Sequence, residues 1–103
     1  RHGWIGDYSD PMTFLGVFLS YSAQNDGGYS NKAYDDNLRI AMSTIDQKVR
    51  MEAMHKAEDV LMEDMGLIPI YFYTEPLMVS KKLSDVVYDP LGWHKFFYAK
   101  LSK

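Results

Sequence analysis

The chain has 103 residues, a formal net charge of −3 and 47% hydrophobic residues, which suffices for one folded core and argues against disorder. Lysine and arginine are scattered, so the basic stripe that binds a nucleic-acid backbone is absent and we expect no nucleic-acid partner. The lack of cysteine excludes a disulfide scaffold and a thiolate metal site. Because the sequence starts at Arg1 without a signal peptide, we expect it to be a piece of a longer protein.

The first third of the chain is predicted to be mostly irregular. Glycine, aspartate and proline, which favour turns, recur from Gly3 to Pro11. The more apolar stretch from Met12 to Leu19 predicts a short helix or a packed turn.

Two helices are predicted next. Ser30 or Asn31 can cap the first helix and Asp46 the second, because each side chain accepts a bond from an otherwise unpaired backbone N–H. Gly66 is predicted to end the second helix as a left-handed residue, and Pro69 prevents its continuation. The predicted apolar faces are Tyr34, Leu38, Ala41 and Ile45 in the first helix, and Met51, Met54, Ala57, Leu61 and Met65 in the second.

The hydrophobic pattern changes after the helices. Residues 67–73 form a continuous apolar run that is typical of a buried strand, and further strands are predicted at 77–79, 86–88 and 96–98. The order of loop, two helices and strands predicts a mixed α/β fold in which an antiparallel helix pair packs on β-strands. A composition shift at 74–76 is the predicted internal boundary.

Catalytic and metal-binding motifs are missing. The sequence contains no Gly-x-Ser-x-Gly elbow, P-loop or HExxH motif, so we expect no enzymatic activity and no cofactor. Glu52 and His55 can share one metal ion on a helix, but the charged neighbours favour a solvated face instead. The helical methionines can form an adaptable groove, although their spacing favours core packing.

Asp7 is a candidate for a binding residue, because it lies among glycines and aromatic residues. Such a carboxylate is a good receiver for an ammonium group, and Trp4 can line the apolar part of the same pocket. Arg1 can provide the opposite charge for a zwitterionic ligand. The alternatives are a turn aspartate that bonds its own backbone, which composition alone favours, and a surface arginine.

Five motifs in the right order resemble the oligopeptide- and dipeptide-binding proteins of ABC transporters. They are similar to the family's GWxxDYxxP signature, to the opening of its next helix, to its R-x6-A-E helix, to its I-P-[ILV]-Y-x-Y strand and to its closing strands. Each motif is weak alone, but together they span essentially the whole chain. The corresponding segments are Gly3–Pro11, Tyr29–Asp35, Arg50–Asp64, Ile68–Tyr73 and Asp89–Gly92 with the aromatic tail.

The resemblance implies a two-lobed periplasmic-binding-protein-like fold of class II, of which this chain would be the C-terminal portion. Residues 1–74 would complete the second large lobe, and 75–103 would cross the hinge to complete the sheet of the first. The protein would bind short peptides in the periplasm or lipid-anchored on the cell surface, and deliver them to an ABC permease. The parent protein is expected to be a monomer, whereas the isolated piece can self-associate through exposed apolar surface.

The resemblance also implies a ligand site. Asp7 matches the family aspartate that pairs with the α-ammonium group of the peptide. The implied contacts beside the ligand backbone, near its C-terminus and at the cleft wall are Gly3, Trp4 and Ile5, then Arg1, then Tyr73.

Other functions remain as alternatives. A relative of this kind can carry a nickel chelate, a sugar or a murein peptide, but Asp7 favours a free amine, because a neutral sugar offers a carboxylate no counter-charge. Outside the family, the chain can be an interaction domain without a ligand. An enzyme that uses His55 or His94 is the third alternative.

Overall fold

The chain folds as two units, each with its own secondary structure. The structure, a computed structural model, describes residues 5–72, 74, 76–89 and 92–102. One unit is Asp7–Ile70, and the other joins Ile5 and Gly6 to the described residues from Tyr71 onward. The assignment of 1–74 and 75–103 to the two lobes of a larger protein stays a prediction.

The unit Asp7–Ile70 is helical. Helix α1 spans Met12–Leu15 and continues as a 3₁₀ helix over Gly16–Phe18, which confirms the predicted short helix in this region. Helix α2 spans Lys32–Ser43, and helix α3 spans Gln47–Glu63. None of the helices in the described ranges has the length and apolar character needed to cross a membrane.

The starts of both long helices follow the predicted capping. The Asn31 side chain accepts the backbone N–H groups of the second and third residues of α2, with N···O distances of 2.8 and 3.3 Å. Asp46 does the same for α3 at 2.8 and 3.2 Å. Each cap satisfies donors that have no partner inside the helix. Because only residues 44–46 separate them, α2 and α3 pack against each other as a helical hairpin.

The core of this unit lies between the two long helices and the segment before them. Most of the predicted apolar positions are buried, but Ile45 is fully exposed, because α2 ends at Ser43 and Thr44 is already extended. Tyr34 is buried without leaving its hydroxyl unpaired, since that group donates to the carbonyl of Leu15 at 2.6 Å. The buried cluster consists of Leu19, Tyr34, Leu38, Ala41, Ala53, Met54, Ala57 and Leu61.

The end of α3 differs from the prediction. The left-handed residue is Met65, with φ = 51°, and Gly66 has no positive φ. The Met65 N–H donates to the carbonyl of Met62 at 3.1 Å, and the Gly66 N–H donates to that of Leu61 at 3.0 Å. These two bonds form a Schellman motif, in which the residue directly after the C-cap takes the left-handed conformation. Gly66 therefore follows the left-handed position instead of occupying it.

The second unit contains two small antiparallel sheets. Strand β1 (Leu83–Ser84) pairs with β4 (Lys100–Leu101), and β2 (Val87–Tyr88) pairs with β3 (His94–Lys95). The register places Leu83 opposite Leu101 and Val87 opposite Lys95. With the helical unit, these sheets give the mixed α/β composition that the element order predicts.

The strand predictions are only partly right. Of the predicted strand at 86–88, Val87–Tyr88 forms β2. Within the described residues of 67–73 and 77–79 the structure contains no strand, and 96–98 lies in a turn between β3 and β4. Apolar runs mark surface that becomes buried, whereas a strand also needs a neighbour for its backbone N–H and C=O groups. The run alone does not supply that neighbour.

Candidate functional site

The structure describes two of the six residues predicted to contact a ligand. Ile5 is half exposed and Asp7 is exposed. The other four, namely Arg1, Gly3, Trp4 and Tyr73, lie outside the described residues.

A tight turn carries Asp7 at the start of the helical unit. The backbone N–H of Asp7 donates to the hydroxyl oxygen of Thr13 at 3.1 Å. Inside the turn, the Asp10 N–H donates to the carbonyl of Tyr8 at 2.9 Å, and the Thr13 N–H donates to that of Asp10 at 3.1 Å. Thr13 is only 6% exposed, so its hydroxyl has little freedom to turn away. The backbone of Asp7 is thus tied to a buried side chain.

Asp10 connects this turn to helix α3. Arg50 donates to both carboxylate oxygens of Asp10, with N···O distances of 2.7 and 2.8 Å, and the two side chains are 19% and 27% exposed, respectively. The same carboxylate accepts the Met12 N–H at 2.8 Å, at the start of α1. The hydrogen bond from Arg50 holds the pKa of Asp10 below its ordinary value, against the opposing effect of partial burial. This bidentate pair is the strong, geometrically defined kind of ion pair.

The two aspartates of the turn have different environments. The Asp10 carboxylate has three hydrogen bonds, to Arg50 and to Met12. The exposed Asp7 carboxylate, by contrast, receives no hydrogen bond and no ion pair from any described residue. A carboxylate that is open to solvent on a fixed backbone can receive a cationic group without first breaking an internal bond.

A second polar cluster closes the loop before α2 onto the end of α3. The Asp64 carboxylate accepts the Tyr29 hydroxyl at 2.8 Å and the Asn31 amide at 2.6 Å. Burial, followed by the bond to Asp64, raises the pKa of Tyr29 to about 12, and the bond from Tyr29 lowers the pKa of Asp64. Every member is paired, so the cluster holds the loop and is not a candidate ligand site.

The alternative sites from the sequence gain little from the structure. Glu52 and His55 are both exposed on α3, and across the described ranges no group of three or more potential ligands could hold a metal ion. Of the helical methionines, Met54 is buried in the core as expected, whereas Met42 and Met65 are exposed.

Sequence reasoning missed the pair of Asp10 and Arg50. In the sequence, Arg50 is the first residue of a helix motif, and Asp10 lies among the turn-forming residues before Pro11. The two residues are 40 positions apart, so no helical or strand periodicity links them. The weak available signal was that each belongs to a family motif.

Searches against known proteins identify the class of protein. No family model matches the chain. The dipeptide-binding protein DppE of Bacillus subtilis is 33% identical over 93 residues, which cover 90% of this chain and 17% of the relative. The periplasmic oligopeptide-binding protein OppA of Haemophilus influenzae is 38% identical over 80 residues, which cover 78% of this chain and 15% of the relative.

A solved structure agrees with these relatives. It is described as the structure and mode of peptide binding of pheromone receptor PrgZ, and it superposes with a TM-score of 0.77 at 32% identity, covering 97% of this chain and 19% of that one. The fold is therefore that of a segment of a substrate-binding protein of the ABC-transport class. More particularly, the chain belongs to the family of oligopeptide- and dipeptide-binding proteins, and it spans less than a fifth of the length of the relatives it matches.

Proposed function

We propose that this chain is the part of an extracytoplasmic peptide-binding protein that anchors the free amino end of a short peptide through Asp7. The bound peptide is then delivered to an ABC permease. The observation that carries the proposal is the exposed Asp7 carboxylate, which receives no bond from any described residue although its backbone is tied to Thr13. The names of the relatives support a peptide ligand, and the name of the Haemophilus relative supports a location outside the cytoplasmic membrane.

The remaining ligand contacts are proposed on the family resemblance. Gly3, Trp4 and Ile5 run beside the peptide backbone, Arg1 lies near its C-terminus, and Tyr73 forms part of the cleft wall. Backbone pairing with the peptide makes affinity insensitive to peptide sequence, as in strand addition. Asp7 adds a charged contact that every peptide with a free amino end can satisfy, whatever its side chains. No bond is made or broken, so the role is binding and delivery.

The proposal is tested by calorimetric titration of the full-length protein that carries this chain. The ligands are a tripeptide with a free amino end and the same tripeptide with its amino end acetylated. Acetylation removes the ammonium group and preserves most of the backbone. Because a hydrogen bond to a charged group contributes about 1.5–3 kcal/mol, we expect the acetylated peptide to bind about 10- to 100-fold more weakly. In the Asp7→Asn variant this difference should largely disappear.

Asp26→Asn is the matched control, because Asp26 is another exposed aspartate in a turn of the same unit. It should leave both affinities unchanged. Equal affinities of the wild-type protein for both peptides would refute the anchor. Binding of neither peptide would refute the peptide ligand, and a nickel chelate or a sugar would be tested next.

A further inference from the structure

We infer that Arg50 is a positioning residue, which acts through Asp10 and Thr13 to hold the backbone of Asp7 where its carboxylate can receive the peptide amino group. The inference rests on the proposed function of Asp7, and it adds the residues that set the selectivity for a free amine. Arg50 itself lies on α3 and acts on the ligand only through the turn.

Arg50 lies on α3, a long helix that is packed against the core. The helix has 17 residues, its first turn is capped by Asp46, and one face is buried against the core through Ala53, Met54 and Ala57. Arg50 lies in the first turn of this helix, where its backbone N–H donates to the carbonyl of Asp46 at 2.9 Å. A group on a packed helix is held in place more accurately than a group on a loop.

The first link joins Arg50 to Asp10. A planar guanidinium group that donates two parallel bonds fixes both the position and the plane of the carboxylate, whereas a lysine ammonium group fixes only a distance. Asp10 in turn accepts the N–H of Met12 through the oxygen that also receives one of the bonds from Arg50. The pair therefore fixes the start of α1 relative to α3.

The second link runs from Asp10 to Asp7. The carbonyl of Asp10 accepts the Thr13 N–H at 3.1 Å, and the hydroxyl of Thr13 accepts the Asp7 N–H at 3.1 Å. Thr13 is buried, so this relay has few alternative rotamers. Without the two hydrogen bonds from Arg50 to Asp10, the turn that carries Asp7 would sample more orientations. The hydrogen bond between Asp7 and a peptide ammonium group would then be less well aligned.

The side chains of this relay are not members of the buried apolar cluster. Other residues form the cluster, with Met12 and Met51 packed against it, and the Arg50–Asp10 pair is partly exposed. A conservative change of Arg50 or Thr13 should therefore alter the turn and leave the helical hairpin intact.

The test uses the full-length protein and the ratio of the two dissociation constants, that for the N-acetylated tripeptide over that for the free tripeptide. We expect Arg50→Lys and Thr13→Val to lower this ratio about three- to tenfold, because a less well aligned hydrogen bond to the ammonium group contributes less free energy of binding. Affinity for the acetylated peptide should change by less than about twofold, because that ligand lacks the ammonium group. Thr13→Ser keeps the hydroxyl group, so the ratio in this variant should stay at the wild-type value.

Arg39→Lys is the matched control, because Arg39 also pairs with an aspartate, Asp36, but on the exposed face of α2. It should not change the ratio. A wild-type ratio in Arg50→Lys and Thr13→Val, together with a collapsed ratio in Asp7→Asn, would overturn the positioning role and leave the proposed function standing. An equal loss of affinity for both peptides would show a purely structural role and also overturn it. A wild-type ratio near one would refute the anchor and the positioning role together.

Discussion

At the scale of single residues, Met65 and Gly66 meet two different requirements at the end of α3, one for a left-handed backbone and one for space. Met65 takes the left-handed conformation, which costs a residue with a side chain about 1–2 kcal/mol. Gly66 is needed for space instead, because a Cβ atom there would lie 2.7 Å from the Cδ1 atom of Leu61 and 2.8 Å from the ring of Tyr29. The glycine lets the chain pass close to the core and to the loop that precedes α2.

This division predicts opposite effects for two neighbouring substitutions. Gly66→Ala should lower the free energy of unfolding by about 1–3 kcal/mol, because the methyl group overpacks the contact with Leu61 and Tyr29. Met65→Gly should raise it by about 0.5 kcal/mol, because glycine takes a positive φ without strain, although it loses more entropy on folding. Native-state hydrogen exchange of the α2 and α3 amides measures the change in the free energy of unfolding for each variant. A stabilising Gly66→Ala would contradict the steric role of the glycine.

At the scale of elements, Asn31 joins the start of α2 to the end of α3. Its carbonyl oxygen caps α2, while its amide donates to the carboxylate of Asp64 at 2.6 Å. One side chain thus performs two functions with different chemical groups, because a side-chain amide has both an acceptor oxygen and a donor nitrogen.

Replacement of Asn31 should change how stability depends on pH. In the wild-type protein the Asp64 pKa is lowered, so its contribution is complete above the ordinary carboxylate pKa of 3.8 and is lost as the pH falls through the lower folded value. Asn31→Asp keeps the cap but places a second carboxylate beside Asp64, which raises the pKa of one of the two. A raised carboxylate pKa removes stability as the pH rises, so this variant should gain stability between about pH 7 and pH 4.

Hydrogen exchange of the α2 amides between pH 4 and 7 follows this change once the intrinsic exchange rates are taken into account. Asn31→Ser is the control, since serine keeps an N-cap acceptor and adds no charge. It should be destabilised without the new pH dependence. The same pH profile in both variants would argue against close contact between positions 31 and 64.

At the scale of the whole molecule, the described chain exposes much apolar surface. Ile70 is 84% exposed and Phe72 is 99% exposed, in the stretch whose sequence indicates a buried strand. The relatives and the solved structure are several times longer than the part this chain matches.

The 103-residue chain produced on its own should therefore self-associate, because large exposed apolar side chains favour association. Sedimentation velocity should show concentration-dependent oligomers, and the double substitution Ile70→Ser and Phe72→Ser should reduce them. Ile45→Ser is the control, since Ile45 is also fully exposed but lies between α2 and α3, outside the stretch that contains Ile70 and Phe72. A monomeric wild-type chain over the same concentrations would contradict this prediction.

Parts of this fold and site follow from local patterns, and parts do not. The caps at Asn31 and Asp46 and the buried face of α3 were predictable, because each depends on neighbours within one or two helical turns. The ligand role of Asp7 stays a prediction, which depends on the family motif more than on its glycine and aromatic neighbours. The strand expected at 67–73 was not confirmed over its described residues, because pairing requires a second segment that periodicity does not locate.

The sequence by itself therefore determined the helical hairpin, its caps and the family to which the chain belongs. Only the tertiary structure decided that Arg50 donates two hydrogen bonds to Asp10 and that Thr13 accepts the backbone N–H of Asp7. It also decided that Met65 takes the left-handed conformation, and that Gly66 lies where a Cβ atom has no space. The physical reason is the range of the interactions. Helix periodicity and capping act over a few residues, whereas an ion pair between positions 10 and 50 exists only after the chain has folded back on itself.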